Sequence, residues 1–166
     1  MRVSEVMTRD VAVVAPYDSV REAARRMDQL NVGALPVCNG RRLVGIVTDR
    51  DITVRCTAVG ARPDTTRVED AMTDDVRWCY EDDDVEEAEE AMRNMQIRRL
   101  PVVDGRKRLV GMLALGDLAT DHAPGTEETL RTISEPSEPD RSDARARARG
   151  YRRIRRPSEA RGPWYE

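Results

Sequence analysis

The chain has 166 residues, which suits one ordinary domain or two small ones. Its hydrophobic fraction is 39%, but aromatics make up only 4% and Phe is absent, so a core must rest on Val, Leu, Ile, Met and Ala. The formal charge of −3 gives no strong global field toward nucleic acid or an acidic membrane surface. Cys38, Cys56 and Cys79 are odd in number and form no Cys-x-x-Cys or Cys/His cluster, which argues against a disulfide framework or a zinc site. Residues 1–7 lack the apolar run of a signal peptide, and no stretch reaches the length of a membrane span. The expectation is a soluble cytoplasmic protein with reduced thiols.

In chain order, Val11–Val14 is a short run of strand formers. A helix follows, with Asp18-Ser19 as its cap and Ser19/Glu22 as a capping-box pair. Its apolar face is Val20, Ala23, Ala24, Met27 and Leu30. Two strands, Leu35–Cys38 and Leu43–Val47, flank the hairpin signal Asn39-Gly40. A further helix starts near Asp49. Residues 61–67, entered through Gly60, read as a linker.

The same order then returns. Val76–Tyr80 is a strand, and Asp84/Glu87 cap a helix with Val85, Ala88, Met92 and Met95 on its apolar face. Leu100–Val103 and Leu109–Leu113 flank Asp104-Gly105, and a last helix starts near Gly116. Residues 3–54 align with 68–120 at an offset of 65, which becomes 66 after one extra residue at Lys107. Val3-Ser4-Glu5-Val6-Met7-Thr8 matches Val68-Glu69-Asp70-Ala71-Met72-Thr73, Leu35-Pro36-Val37 matches Leu100-Pro101-Val102, and Asp51 matches Asp117. A repeat of this length is one structural unit used twice. The fold class is α/β: two pseudo-symmetric β-α-β-β-α units packed as one module. They span residues 1–60 and 68–122. Residues 123–166, rich in Pro, Ser, Glu and Arg, are expected to form a disordered tail.

Two copies of Met-Thr, a capped helix, Leu-Pro-Val-x-x-Gly and Leu-Val-Gly-x-x-x-x-x-Asp resemble tandem cystathionine-β-synthase (CBS) domains, a Bateman module, over roughly residues 1–121. The resemblance is to the stand-alone, bacterial type. It implies a regulatory protein, not an enzyme, often a homodimer. It implies clefts for AMP, ADP, ATP or S-adenosylmethionine, and an unknown regulated protein that reads the bound state. No cofactor is required.

The family's ligand signature, Gly-h-x-Thr/Ser-x-x-Asp with h apolar, is intact at Gly45-Ile46-Val47-Thr48-Asp49-Arg50-Asp51. Thr48 and Asp51 lie one helical turn apart on one face. The helix start offers unpaired N–H groups to a phosphate, the Thr48 hydroxyl bonds a phosphate oxygen, and the Asp51 carboxylate accepts ribose hydroxyls. The competing reading makes Thr48 a helix N-cap and Asp51 a complement to the helix dipole. Repeat 2 keeps Asp117 but has Ala114 in place of the hydroxyl, so its cleft is expected to be weaker, empty or selective for another ligand. By resemblance the adenine slot is formed by Val11, Ala12 and Val13 with Val32, Gly33, Ala34, Leu35 and Pro36. Arg98 and Arg99 replace the small Gly33 and Ala34 and resemble phosphate-holding residues in the sensor subunit of AMP-activated kinases. The competing reading makes them a solvated pair, or partners of the acidic helix.

The eight carboxylates within residues 81–90 read as a solvated helix face rather than a metal site. Cys38, in a hairpin strand, reads as a buried inert thiol. His122 is the single histidine, and no catalytic constellation can be assembled around it. The tail arginines, from Arg145 to Arg156, could touch nucleic acid, but neighbouring acids offset them and that partner is not favoured. Two alternatives stand beside the nucleotide sensor: a ligand-free interaction scaffold, and a nucleic-acid adaptor acting through the tail.

Overall fold

A computed structural model describes residues 1–120 and 130–132. The expected tail, His122 and the Arg-rich segment lie outside the described residues, apart from the short helical stretch at 130–132. Repeat 1 runs α1 (Val3–Val6), β1 (Thr8–Arg9), α2 (Val20–Leu30), β2 (Ala34–Asn39), β3 (Arg42–Thr48) and α3 (Asp49–Arg55). Repeat 2 runs α4 (Val68–Ala71), β4 (Cys79–Tyr80), α5 (Val85–Met95), β5 (Arg99–Val103), β6 (Leu109–Ala114) and α6 (Leu115–Thr120). The helices, the second and third strands of each repeat and the last helices fall where the sequence places them. The first strands do not reach their expected length. Val11–Val14 reduces to one parallel bridge, Val14 to Val37, and Val76–Tyr80 to the two-residue β4. The short helices α1 and α4 are additions.

Contacts sort the chain into two compact units that cut across the repeats. The α5 unit takes residues 1–13, 38–44 and the described chain from Asp75 on; the α2 unit takes 14–37 and 45–74. The start of each repeat therefore folds into the unit carrying the other repeat's helix. In the α5 unit, Val3 N–H donates to Asp83 O at 3.0 Å, and Ser4 N–H to Glu81 O at 2.9 Å. In the α2 unit, the equivalent Val68 N–H donates to Asp18 O at 2.8 Å, and Glu69 N–H to Pro16 O at 2.9 Å. The exchange extends to the sheets: Thr8 pairs antiparallel with Met112, and Thr73 with Ile46. Glycines permit the close approach. A Cβ on Gly111 would meet Met7 Sδ and Thr8 O, both at 2.7 Å, and one on Gly45 would meet Met72 Sδ.

The α5 unit holds a sheet in the order β1-β6-β5-β4. Its core joins Val3 and Met7 to Val85, Ala88, Met92, Leu100, Leu113 and Leu118. The α2 unit buries Val20, Ala23, Met27, Leu35, Val37, Val47, Val68 and Ala71. Helix faces stop one turn short of the sequence expectation: Ala24 is exposed, and Leu30 and Met95, equivalent by the repeat, are 49% and 39% exposed. Both helices end there on left-handed caps, Asn31 and Gln96, which turn the chain away.

The two hairpins diverge. In repeat 1 Gly40 takes the positive φ, 62°, as its missing Cβ allows. In repeat 2 the extra residue moves that duty from Gly105 to Lys107, φ 60°. The longer loop is held by the Asp104 carboxylate, which accepts the Arg106 and Arg108 N–H groups at 2.9 Å each and pairs with the Arg108 guanidinium.

Candidate functional site

In the α2 unit, β3 delivers Thr48 to the start of α3, and β2 begins beside it at Ala34. Thr48 Oγ1 accepts the Asp51 N–H at 3.1 Å, and Asp51 Oδ2 accepts the Thr48 N–H at 3.0 Å. This is a full capping box, so the local cap geometry accounts for the spacing of the pair. Each group keeps chemistry to spare. The hydroxyl retains its O–H to donate, and a carboxylate has more acceptor positions than one N–H uses. Asp51 is mostly buried, and its Oδ1 lies 3.7 Å from Arg55 Nη2. Arg55 in turn donates to Ala71 O and Met72 O at 2.7 and 2.8 Å, anchoring α4.

The helix start does not offer the unpaired N–H groups expected of it. Asp49 N–H donates to Gly33 O at 3.0 Å, Arg50 N–H to the Asp49 carboxylate at 2.7 Å, and those of Thr48 and Asp51 serve the capping box. Side chains therefore carry any anion contact here. Gly33 fits closely there: a Cβ would lie 3.1 Å from Asp49 Oδ2, so the Asp49 side chain would have to shift slightly. Pro36 O accepts the Val14 N–H at 3.1 Å. Ala34, Pro36, Thr48 and Asp51 thus share one unit, and the first-strand residue that joins them is Val14. Val11 and Val13 belong to the α5 unit, where they line a separate cleft.

The α5 unit repeats the arrangement in altered form. Leu115 N–H donates to Arg98 O at 3.0 Å, as Asp49 does to Gly33. Asp117 Oδ2 accepts the Ala114 N–H at 3.0 Å, half of the capping box. Ala114 supplies no hydroxyl, and the carboxylate is met instead by Thr8 of repeat 1, whose Oγ1 donates to Asp117 Oδ2 at 3.5 Å. Arg98 and Arg99 are exposed at the start of β5 and form no ion pair with the acidic helix among the described residues. The acidic run contains one departure from a solvated face: Glu89 is buried, 2% exposed, and its Oε1 has no hydrogen-bond partner. No group of three or more His, Cys, Asp or Glu side chains among the described residues could hold a metal ion. All three thiols are buried. Burial pushes Cys38 up to about 11, and burial with the nearby Asp83 pushes Cys79 up to about 12, so neither forms a thiolate near neutrality.

The CBS domain family model matches residues 3–56 and again 68–121, and the chain belongs to that family. It is 44% identical over 119 residues to the CBS domain-containing protein YhcV of Bacillus subtilis, covering 72% of this chain and 84% of that one. Among solved structures it resembles Hypoxic Response Protein I with two coordinated zinc ions. That match has a TM-score of 0.68 and 30% identity, over 75% of this chain and all of that one. It also resembles CBSX2 solved in complex with AMP, with a TM-score of 0.65 and 28% identity, over 73% of this chain and 95% of that one. CBSX2 is a CBS-pair protein from Arabidopsis thaliana.

Proposed function

We propose that this CBS pair is a regulatory sensor of an adenosine-containing ligand, AMP, ADP, ATP or S-adenosylmethionine, and that it signals to a partner protein without catalysing a reaction. The observation that carries the reading is the Thr48 hydroxyl and Asp51 carboxylate, set at one helix start beside Gly33 and Ala34. The hydroxyl donates to a phosphate oxygen, and the carboxylate accepts ribose hydroxyls. Ala34 and Pro36 border the base. At the equivalent end of repeat 2, Asp117 keeps a ribose acceptor, and the exposed Arg98 and Arg99 supply phosphate contacts in place of the missing hydroxyl. AMP bound to CBSX2 supports the ligand class. The ligand acts by binding two states of the module unequally. A cytoplasmic homodimer is the proposed form.

One observation favours a second reading, a ligand-free scaffold: the capping box gives Thr48 and Asp51 a purely structural duty. Thermal unfolding with each of the four ligands separates the two. A ligand at a hundred times its Kd adds about 2.7 kcal/mol to stability. The sensor reading expects that gain in the native chain and its loss in Thr48→Ala and Asp51→Ala, each compared with its own ligand-free melt so that the lost cap cancels. No gain with any ligand at millimolar concentration would leave the scaffold.

A further inference from the structure

Helix α5 carries a carboxylate where its repeat counterpart carries a methyl. Glu89 corresponds to Ala24 of α2 by the offset of 65. Ala24 is exposed, yet Glu89 is 2% exposed. Only Oε1 of its two carboxylate oxygens is enclosed without a hydrogen-bond partner, which leaves Oε2 for a donor to reach. No ion pair or hydrogen bond to Glu89 forms among the described residues. The repeat does not call for a charge at this position, since alanine serves in α2. Left unpaired, a buried carboxylate costs stability, and a well-placed cation offsets that cost.

The surface around Glu89 is acidic and open. Glu86, Glu89 and Glu90 share one face of α5, at helical spacing. Glu86, Glu87 and Glu90 are exposed and make no ion pair among the described residues. The aspartates ahead of the helix are committed: Arg2 pairs with Asp82 at 3.0 Å, and the Met1 amine lies 3.8 Å from Asp84. A guanidinium suits a half-enclosed carboxylate better than an ammonium, because its planar fork brings two donors and it is more weakly hydrated. The sequence holds a segment of that chemistry. Residues 145–156 contain seven arginines and no acid. Thr132, the last described residue, belongs to the same compact unit as α5. Arg145 follows it by thirteen residues. A stretch of that length spans up to about 45 Å, farther than a unit of this size is wide.

We propose that this face of α5 is a docking surface for the chain's own arginine segment, residues 145–156, with one guanidinium paired to Glu89 and others beside Glu86 and Glu90. The surface is separate from Thr48 and Asp51 and needs no ligand there. Ala148→Cys in the full chain places one reactive thiol in the segment, because Cys38, Cys56 and Cys79 are buried. With a nitroxide on that thiol, the NMR amide signals of Glu86, Glu87 and Glu90 are expected to broaden. Those of Arg21, Glu22 and Arg25, the matching positions of α2, are expected to stay sharp. Glu89→Gln, and Glu89→Ala which copies repeat 1, are expected to lower the docked population about ten-fold, and Glu87→Gln about two-fold or less. Unshifted α2 signals show that each variant is folded. Exchange of the seven arginines for Gln, which leaves α5 untouched, is expected to abolish the broadening. Four outcomes would each overturn the proposal: no broadening at α5, equal broadening at α2, broadening that survives both Glu89 variants, or broadening that survives loss of the arginines. A fifth is equal broadening in a mixture of nitroxide-bearing chains and isotope-labelled chains without nitroxide, which would assign the contact to a second copy.

Discussion

At the end of β3, Asp51 accepts the Thr48 N–H at 3.0 Å; at the end of β6, Asp117 accepts the Ala114 N–H at the same 3.0 Å. One half of the capping box is kept in both repeats, and the other half exists only in repeat 1. The surroundings differ as well. Asp51 faces Arg55, whereas Asp117 receives the hydroxyl of Thr8 from the opposite repeat. The aspartate has a folding duty at both sites, satisfying the N–H where the strand becomes a helix, and by itself says little about a ligand. What sets repeat 1 apart is the added hydroxyl and the small residues beside it, where repeat 2 has Arg98 and Arg99.

The largest expected effect tests the exchange of segments that makes the two sites. Gly111→Ala would drive a Cβ against the backbone oxygen of Thr8 at 2.7 Å as well as the Met7 sulfur. Gly45→Ala meets the flexible Met72 side chain, with the Thr73 oxygen farther off at 3.1 Å. Backbone yields less readily than a methionine tip. Chemical denaturation should show a loss of about 3 kcal/mol for Gly111→Ala and about 1 kcal/mol for Gly45→Ala, within the range for overpacking. Equal losses would show that Met72 is held as firmly as backbone.

Next comes the hydroxyl itself. Thr48→Ala turns the repeat 1 site into that of repeat 2 and should cost about 1 kcal/mol as a lost N-cap, along with the ligand response. Ala114→Thr does the reverse and should stabilise by roughly 0.5 kcal/mol, since it places an N-cap hydroxyl at the start of α6. Calorimetry of Ala114→Thr also sharpens the comparison. A second binding event would mean that the hydroxyl alone silences repeat 2; an unchanged stoichiometry would place the difference at Arg98 and Arg99.

Much of this was legible in the sequence, for physical reasons. Long periodic faces such as Val20-Ala23-Met27 and the turn residues between β2 and β3 declare themselves locally, and the offset of 65 exposed the repeat. The exchange of α1 and α4 was not legible, because the matching Val3–Thr8 and Val68–Thr73 segments look the same whichever helix they pack against. The Thr48/Asp51 pairing was readable from its spacing. The loss of the α3 N–H groups to Gly33 O and the Asp49 carboxylate was not, since it depends on how closely β2 approaches the helix start. Asp104 and Lys107 share the cause of the hairpin departure: a one-residue insertion shifts the left-handed position, and only geometry shows where it lands.

The smallest expected effect concerns that insertion. Asp104 corresponds to Asn39 of repeat 1, and its carboxyl is held down at about 2 by the Arg108 guanidinium hydrogen bond, aided by the Arg108 and Arg106 N–H groups. A carboxyl whose pKa is lower folded than unfolded stabilises the fold above its unfolded value, about 3.9, and that contribution fades as pH falls toward 2. Asp104→Asn gives the turn the residue found in repeat 1. The amide oxygen can still accept both N–H groups, so what disappears is the charge-assisted pair with Arg108. The difference in melting temperature between native chain and variant should be small and constant above about pH 4, shrink between pH 4 and 2, and vanish below, as a pair near the surface contributes little. A difference that ignores pH would mean that N–H acceptance alone holds the loop, and that the two hairpins differ in length but not in electrostatics.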